Sequence, residues 1–400
     1  MIRRSRRAAI RLHAPLWTSV ILVPLLAACG GPATHVGVSA TRRVPRTTTS
    51  TTRTVSSSSA VVCSNASVVA SWSLTRRAEQ LVVVPVEETE VPSIAPAVQD
   101  GVGGIILFGS DAPSNLGPQL AAVESDGPGG LKPLVMTDEE GGEVQRMANL
   151  VGNLPWPRTM ASTMTAAQVE ALAESTAKSM AENRVTMDLG PVLDVADGPG
   201  PDAEHTDGPR SFSDNPSVAS EYGIAFAHGL QAGGVIPVVK HFPGEGGASA
   251  NTDEGPAATP PLAELQRVDL LPFEAAIKAG LPAVMVGNAT VPGLTSMPAS
   301  LSSSVIQGLL ESQLGFNGLI LTDSLSAGAI SALGMGIEQA SVDAIGAGAD
   351  MVLFNSTNPV GDSQSIVNQI VTAVEAGTIS SARLDDAVDH VVAAKRISLC

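Results

Sequence analysis

Asp138, Asp194, Lys240, His241, Asn288, Asp323 and Asn355 stand at or just past the ends of successive short apolar runs. Carboxylate, ammonium, imidazole and amide groups gathered in one place suit a ligand dense in hydroxyls. A carboxylate beside a guanidinium, as in Asp138 and Arg146, can hold a pair of hydroxyls through charge-assisted hydrogen bonds. A carboxylate can also attack carbon or carry a proton. Each residue has a plainer reading as well. A strand-ending aspartate such as Asp323 is a common helix N-cap. Asp138-Glu139-Glu140 can be an acidic helix start with Arg146 solvated, and Lys240-His241 can be a buried pair with a structural role alone.

The elements that carry these residues are eight apolar runs: 81–86, 102–108, 134–137, 185–189, 236–239, 283–286, 319–322 and 351–354. They are nearly continuous rather than alternating, as in parallel strands covered on both faces. The intervening segments, such as 166–183 and 329–347, are rich in Ala, Glu, Met and Leu and read as helices. Eight strand–helix units predict a (β/α)8 barrel, with a doubly wound open sheet as the alternative. Convergence favours the barrel. Strand ends meet on one pocket there, whereas in an open sheet only strands beside the switch point share a crevice.

Lys240-His241-Phe242-Pro243-Gly244-Glu245-Gly246, followed by Asn251-Thr252-Asp253-Glu254-Gly255, resembles the sugar-binding and acid/base segment of bacterial β-N-acetylglucosaminidases of glycoside hydrolase family 3. Three further stretches carry the same resemblance in the family's order. They are Asp138-Glu139-Glu140-Gly141-Gly142-Glu143-Val144-Gln145-Arg146, the pair Asp188–Asp194 and Pro209-Arg210-Ser211-Phe212, and Leu319–Ser326. The resemblance spans residues 65–398. It implies substrate binding by Asp138, Arg146, Arg210, Lys240 and His241, with Asp194 as support. It also implies that Asp323 is the nucleophile of a retaining glycosidase, forming a glycosyl-enzyme ester that water cleaves.

One role departs from the pattern. The family usually reads Lys-His-Phe-Pro-Gly-His-Gly and then Asp-Ser-His, whose histidine is the proton donor, and neither later histidine is present here. Counting from Gly246 puts Asp253 at the donor position and Asn251 where a carboxylate normally orients the imidazole. The exchange is chemically coherent, because a carboxylic acid needs no second carboxylate and would be weakened by one. Glu254, Glu245 and His205 are rivals, and a loop that has lost catalysis would leave a sugar-binding protein.

The chain's first segment has Arg3, Arg4, Arg6, Arg7 and Arg11 before an apolar stretch from Ala14 to Ala28, the pattern of a secretory signal. Leu26-Ala27-Ala28-Cys29 resembles a bacterial lipobox, which implies lipidation at Cys29; an ordinary signal with a chance cysteine is the alternative. The expected organisation is a signal over 1–28, a Ser/Thr-rich disordered tether over 29–62 and the barrel over 63–400. Cys63 and Cys400 lie at the two ends of that last segment, where an oxidising compartment would let them bridge or leave both free.

Nine of the 23 Lys and Arg precede residue 63 and all 39 Asp and Glu follow it, so 14 basic face 39 acidic residues, a formal −25 over 63–400. That surface disfavours nucleic acid and anionic lipid. No cofactor is implied, and no His-x-x-x-His or paired-cysteine spacing points to a metal. The combined expectation is a monomeric, lipid-anchored, extracytoplasmic exo-glycosidase releasing terminal β-linked N-acetylglucosamine from cell-wall fragments, touching the membrane through its anchor alone. A β-glucosidase and a non-catalytic muropeptide-binding lipoprotein are the alternatives.

Overall fold

The computed structural model describes residues 63–400. The signal, the lipobox cysteine Cys29 and the tether lie outside the described residues.

Eight parallel strands follow one another around a sheet: β1 (Val83–Glu87), β2 (Gly104–Phe108), β3 (Leu134–Thr137), β4 (Met187–Asp188), β5 (Ile236–Phe242), β6 (Ala283–Val286), β7 (Leu319–Ser324) and β8 (Met351–Leu353). A parallel bridge from Val82 to Val352 joins the first strand to the last, so the sheet closes into a (β/α)8 barrel. The apolar runs are continuous because one face of each strand fills the barrel and the other packs on helices. Val83, Ile106, Met136, Met187, Val238, Met285, Leu321 and Met351 form a single buried cluster along the axis.

Helix starts follow local chemistry. Thr165 and Gln168 form a reciprocal capping box before Ala166–Glu182, and Asn215 caps Pro216–Ala232, which has proline in its first turn. These two helices approach closely, since a Cβ on Gly229 would lie 2.2 Å from the Glu170 carbonyl oxygen. Two boundaries differ from the sequence reading. The segment 329–347 is two helices, Gly328–Ser331 and Ile337–Ala347, because Gly334 between them takes a left-handed φ of +73°. Strand β5 runs on to Phe242, so Lys240 and His241 belong to the strand itself.

The two ends of the domain meet. Cys63 and Cys400 are disulfide-bonded across a separation of 337 residues. Asn65 donates from Nδ2 to the Ile397 carbonyl (3.0 Å) and accepts from the Leu399 N–H (2.9 Å). A cross-link over so long a loop removes much of the freedom of the unfolded chain. Reduction, or Cys63→Ser, should therefore lower unfolding free energy by about 2–4 kcal/mol in denaturant titrations. An unchanged midpoint would mean that the Asn65 contacts alone hold the ends.

Candidate active site

At the C-terminal ends of the strands lies a cavity of about 490 Å3. Its wall includes Asp138, Arg146, Arg210, Lys240, His241, Asp253 and Asp323, so the barrel brings together every catalytic and sugar-binding candidate read from the sequence. Asn355 lines it too. Asp194 and Asn288, expected to converge on the same pocket, stand behind the wall and support residues that reach it.

Immediately after β3 the chain makes a small hairpin, Glu139–Gly141 against Val144–Gln145. Gly142 turns it at a φ of +62°, where a Cβ would meet the Trp156 ring at 2.0 Å. The buried Glu139 carboxylate accepts from the Arg146 and Met147 N–H groups (2.8 and 2.6 Å) and from Gln145 Nε2 (2.8 Å). These bonds fix the backbone from which Arg146 reaches back to Asp138 (3.5 Å).

The hairpin also delivers Glu140, to which the sequence reading assigned no role. Its carboxylate takes a two-pronged contact from Arg210 (Nε and Nη2, both 2.8 Å) and a third from Lys240 Nζ (2.7 Å). Lys240 Nζ also donates to Asp138 (2.8 Å). The result is a chain of alternating charge, Arg146, Asp138, Lys240, Glu140, Arg210, buried at Lys240 and Glu140 and half-buried at its other members. Burial would raise the Glu140 and Asp138 carboxyls, but Arg210 and Lys240 beside Glu140, and Lys240 and Arg146 beside Asp138, outweigh it and hold both below their usual range. Burial would lower Lys240, yet Asp138 and Glu140 carry it above its ordinary value. Asp138 and Glu140 are therefore anionic and Lys240 and Arg210 cationic at neutral pH.

His241 is held by Asp194, which accepts from its Nδ1 (2.6 Å) and its N–H (3.1 Å) and, on the other oxygen, from the Glu245 N–H (2.7 Å). Burial works against the imidazolium, but Asp194 raises His241 to about 9. Two acids behind this pair were not foreseen as structural features. Glu245 is buried outside the cavity, with one oxygen accepting from the Ala289 N–H (2.9 Å) and the other without a partner, and burial lifts it to about 7. Asp207 is buried with neither oxygen hydrogen-bonded; burial and then Asp194 push it well above the carboxylate range. Asp194, Asp207 and His241 place potential ligand atoms within 4.8 Å of one another. Three N–H donors already occupy Asp194, so the group is better satisfied by protons than by a cation.

Asp323 ends β7, and the backbone behind it is braced by Asn288, which donates to the Ser324 carbonyl (2.9 Å) and accepts from Ser300 (2.6 Å). Asp253 faces the same cavity from the loop after β5. That loop is stitched to the turn following Asp323, since the Gly328 and Ala329 N–H groups donate to the Asp253 and Thr252 carbonyls (both 2.9 Å). Asn251 shapes the loop: its Oδ1 accepts from the Asp253 N–H (3.0 Å) and its Nδ2 donates to the Asp202 carbonyl (3.1 Å). Asp253 keeps contact with solvent across the cavity. The surrounding protein and then the Asp323 carboxylate nevertheless raise its carboxyl, against the pull of His241 and Arg210. Of its rivals, Glu245 and Glu254 do not line the cavity, and His205 is exposed and bonded to Asp202 (2.9 Å).

Residues 73–394 match the model of the glycosyl hydrolase family 3 N-terminal domain. The chain is 36% identical over 323 residues to the β-hexosaminidase LpqI of Mycobacterium tuberculosis, covering 79% of this chain and 81% of that protein. It is 32% identical over 302 residues to an uncharacterised secreted glycosyl hydrolase of Arthroderma benhamiae, covering 73% of this chain and 84% of that one. The structure of a family 3 β-N-acetylglucosaminidase from a Paenibacillus species superposes with a TM-score of 0.74 at 29% identity, over 81% of this chain and 62% of that chain. The chain belongs to glycosyl hydrolase family 3 and is a glycoside hydrolase.

Proposed function

We propose that this enzyme is a retaining β-N-acetylglucosaminidase that removes terminal β-linked N-acetylglucosamine from cell-wall fragments, with Asp323 as nucleophile and Asp253 as acid/base. The observation that carries this reading is that Asp253, alone among the four donor candidates, shares the cavity with Asp323 and is raised by it. The names borne by the bacterial relatives, β-hexosaminidase and β-N-acetylglucosaminidase, support the sugar.

In this reading the alternating charges of Asp138, Lys240, Arg146 and Arg210 bind the hydroxyls of the terminal sugar. Binding at several fixed points presents the anomeric carbon to Asp323. Asp323 attacks, the glycosidic C–O bond breaks, and Asp253 gives its proton to the departing oxygen. Asp253, now ionised, takes a proton from water as water displaces Asp323 and releases the sugar. The nearby carboxylate suits both steps. While Asp323 is ionised Asp253 is biased towards its acid form, and once Asp323 is esterified that repulsion disappears and Asp253 becomes a free base.

The region before residue 63 extends the proposal: Cys29 carries a lipid that anchors the enzyme to the outer face of the cell membrane. A secreted relative supports an extracytoplasmic location. With Cys29→Ser, the protein should shift from the membrane to the soluble fraction. Retention in the membrane would reject the anchor.

Four kinetic outcomes are expected. Asp323→Ala should lower kcat on an aryl N-acetyl-β-glucosaminide by at least about 10³-fold. Asp253→Ala should cost about 10²–10⁴-fold on a disaccharide, whose leaving group needs protonation, and less on an aryl glycoside. Because Asp253 is raised, its acid form persists to higher pH than an ordinary aspartate, and disaccharide turnover should fall as pH rises through that value. A pH profile identical in wild type and Asp253→Asn would place the donor elsewhere. Finally, ionised Asp253 should repel phosphate during the second step, so added phosphate should leave free sugar as the product. Sugar phosphate formed as fast as free sugar would contradict a carboxylate at this position.

A further inference from the structure

A second cavity, of about 630 Å3, adjoins the catalytic one. Phe108, Ser326 and Asn355 line both and form the sill between them. The sill is pinned by a reciprocal pair of bonds: Ser326 Oγ donates to the Asn355 carbonyl (2.7 Å) and accepts from the Asn355 N–H (2.9 Å). It stands three residues beyond Asp323 in sequence, on the same turn to which the Asp253 loop is stitched. Because Phe108, Ser326 and Asn355 line both cavities, a leaving group that extends out of the catalytic one over them has this second cavity beside it. Its volume lies in the range of pockets that enclose small molecules.

The lining has a distinct chemistry. Ser93, Asn355, Ser356 and Thr357 offer hydroxyl and amide groups, while Glu87 and Glu90 are exposed carboxylates without a cation partner among the described residues. Among the described residues, no Lys, Arg or His lines it. Arg146 lies on the catalytic side of Phe108, with its guanidinium 6.0 Å from the ring centre, and is already paired with Asp138. Two unpaired carboxylates in a domain of strongly negative charge set a negative potential where the leaving group must sit.

We propose that this second cavity is the leaving-group subsite and that Glu87 and Glu90 make it selective for a leaving sugar without negative charge. The inference rests on the function proposed above and narrows its substrates. Among wall-derived fragments it favours those whose muramyl carboxyl is capped as an amide over those in which it is free.

The test uses two nearly isosteric substrates, N-acetylglucosaminyl-β-1,4-N-acetylmuramic acid and its carboxamide, with an aryl N-acetyl-β-glucosaminide as reference. At low ionic strength kcat/KM should be roughly three- to tenfold higher for the amide, and salt should narrow the gap. Glu87→Gln combined with Glu90→Gln should bring the ratio towards one, with aryl glycoside turnover showing that the variant is folded. Equal rates for acid and amide in the wild type, or a ratio untouched by the double substitution, would overturn the proposal. Affinities of both disaccharides for the Asp323→Ala protein, measured by calorimetry, give the same comparison without catalysis. An inert aryl glycoside would thus reject the enzymatic reading, while the binding ratio still decides the subsite.

Discussion

The site depends on one constraint: a charge taken out of water must meet an opposite charge at hydrogen-bonding distance. Glu140 satisfies it for both Lys240 and Arg210, and Asp138 satisfies it for Lys240 and Arg146. An unpaired ion at Lys240 or Glu140, the two buried members, would cost several kcal/mol, so they specify the positions of their partners. The residues come from the stretch 138–146 after β3, from β5 and from the loop before Ser211, three regions far apart in sequence. Their pairing turns three separate segments into one wall. That wall is fully charged before substrate arrives, and a ring of hydroxyls has only to replace water along it.

Behind this wall a second set of acids works differently. Asp194 is saturated by N–H donors and keeps His241 cationic, whereas Asp207 and Glu245 are buried with open oxygens and are driven towards their neutral forms. Asp253 lies between these extremes, with burial and a neighbouring carboxylate raising it and two cations opposing. A range of proton affinities is thus built from one chemical group by burial and neighbours alone. The proposed donor role of a carboxylic acid, in place of an imidazole, fits that setting. The orienting carboxylate a histidine would need is absent, and Asn251 in its place bonds only to backbone.

Much of this was legible in the sequence, and the reasons can be named. All eight strands were visible because burial on both faces leaves an uninterrupted apolar run; Asp138, Lys240, His241, Asp323 and Asn355 of the cavity wall were visible because they punctuate those runs, whereas Arg146, Arg210 and Asp253 came from the family resemblance alone. Asn288 was expected among the residues reaching the pocket, but it lies two residues past β6 and braces the Ser324 carbonyl instead, so proximity to a strand end does not ensure access to the pocket. The role of Glu140 was hidden because its partners lie 70 and 100 residues away and nothing local distinguishes it from Glu139. Glu245 was read as a rival proton donor and Asp207 was given no role, since burial is a property of the assembled barrel. The break at Gly334 carried a signal, an isolated glycine in a helical pattern, which the composition of the flanking residues outweighed.

The two N–H donors of Gly328 and Ala329 that hold the Asp253 loop have a mechanical meaning. They attach the loop carrying Asp253, the proposed acid/base, to the start of the helix that follows Asp323, the proposed nucleophile. In the proposed mechanism the separation of the two carboxylates is then set by one short clamped stretch of chain rather than by the whole path around the barrel between β5 and β7.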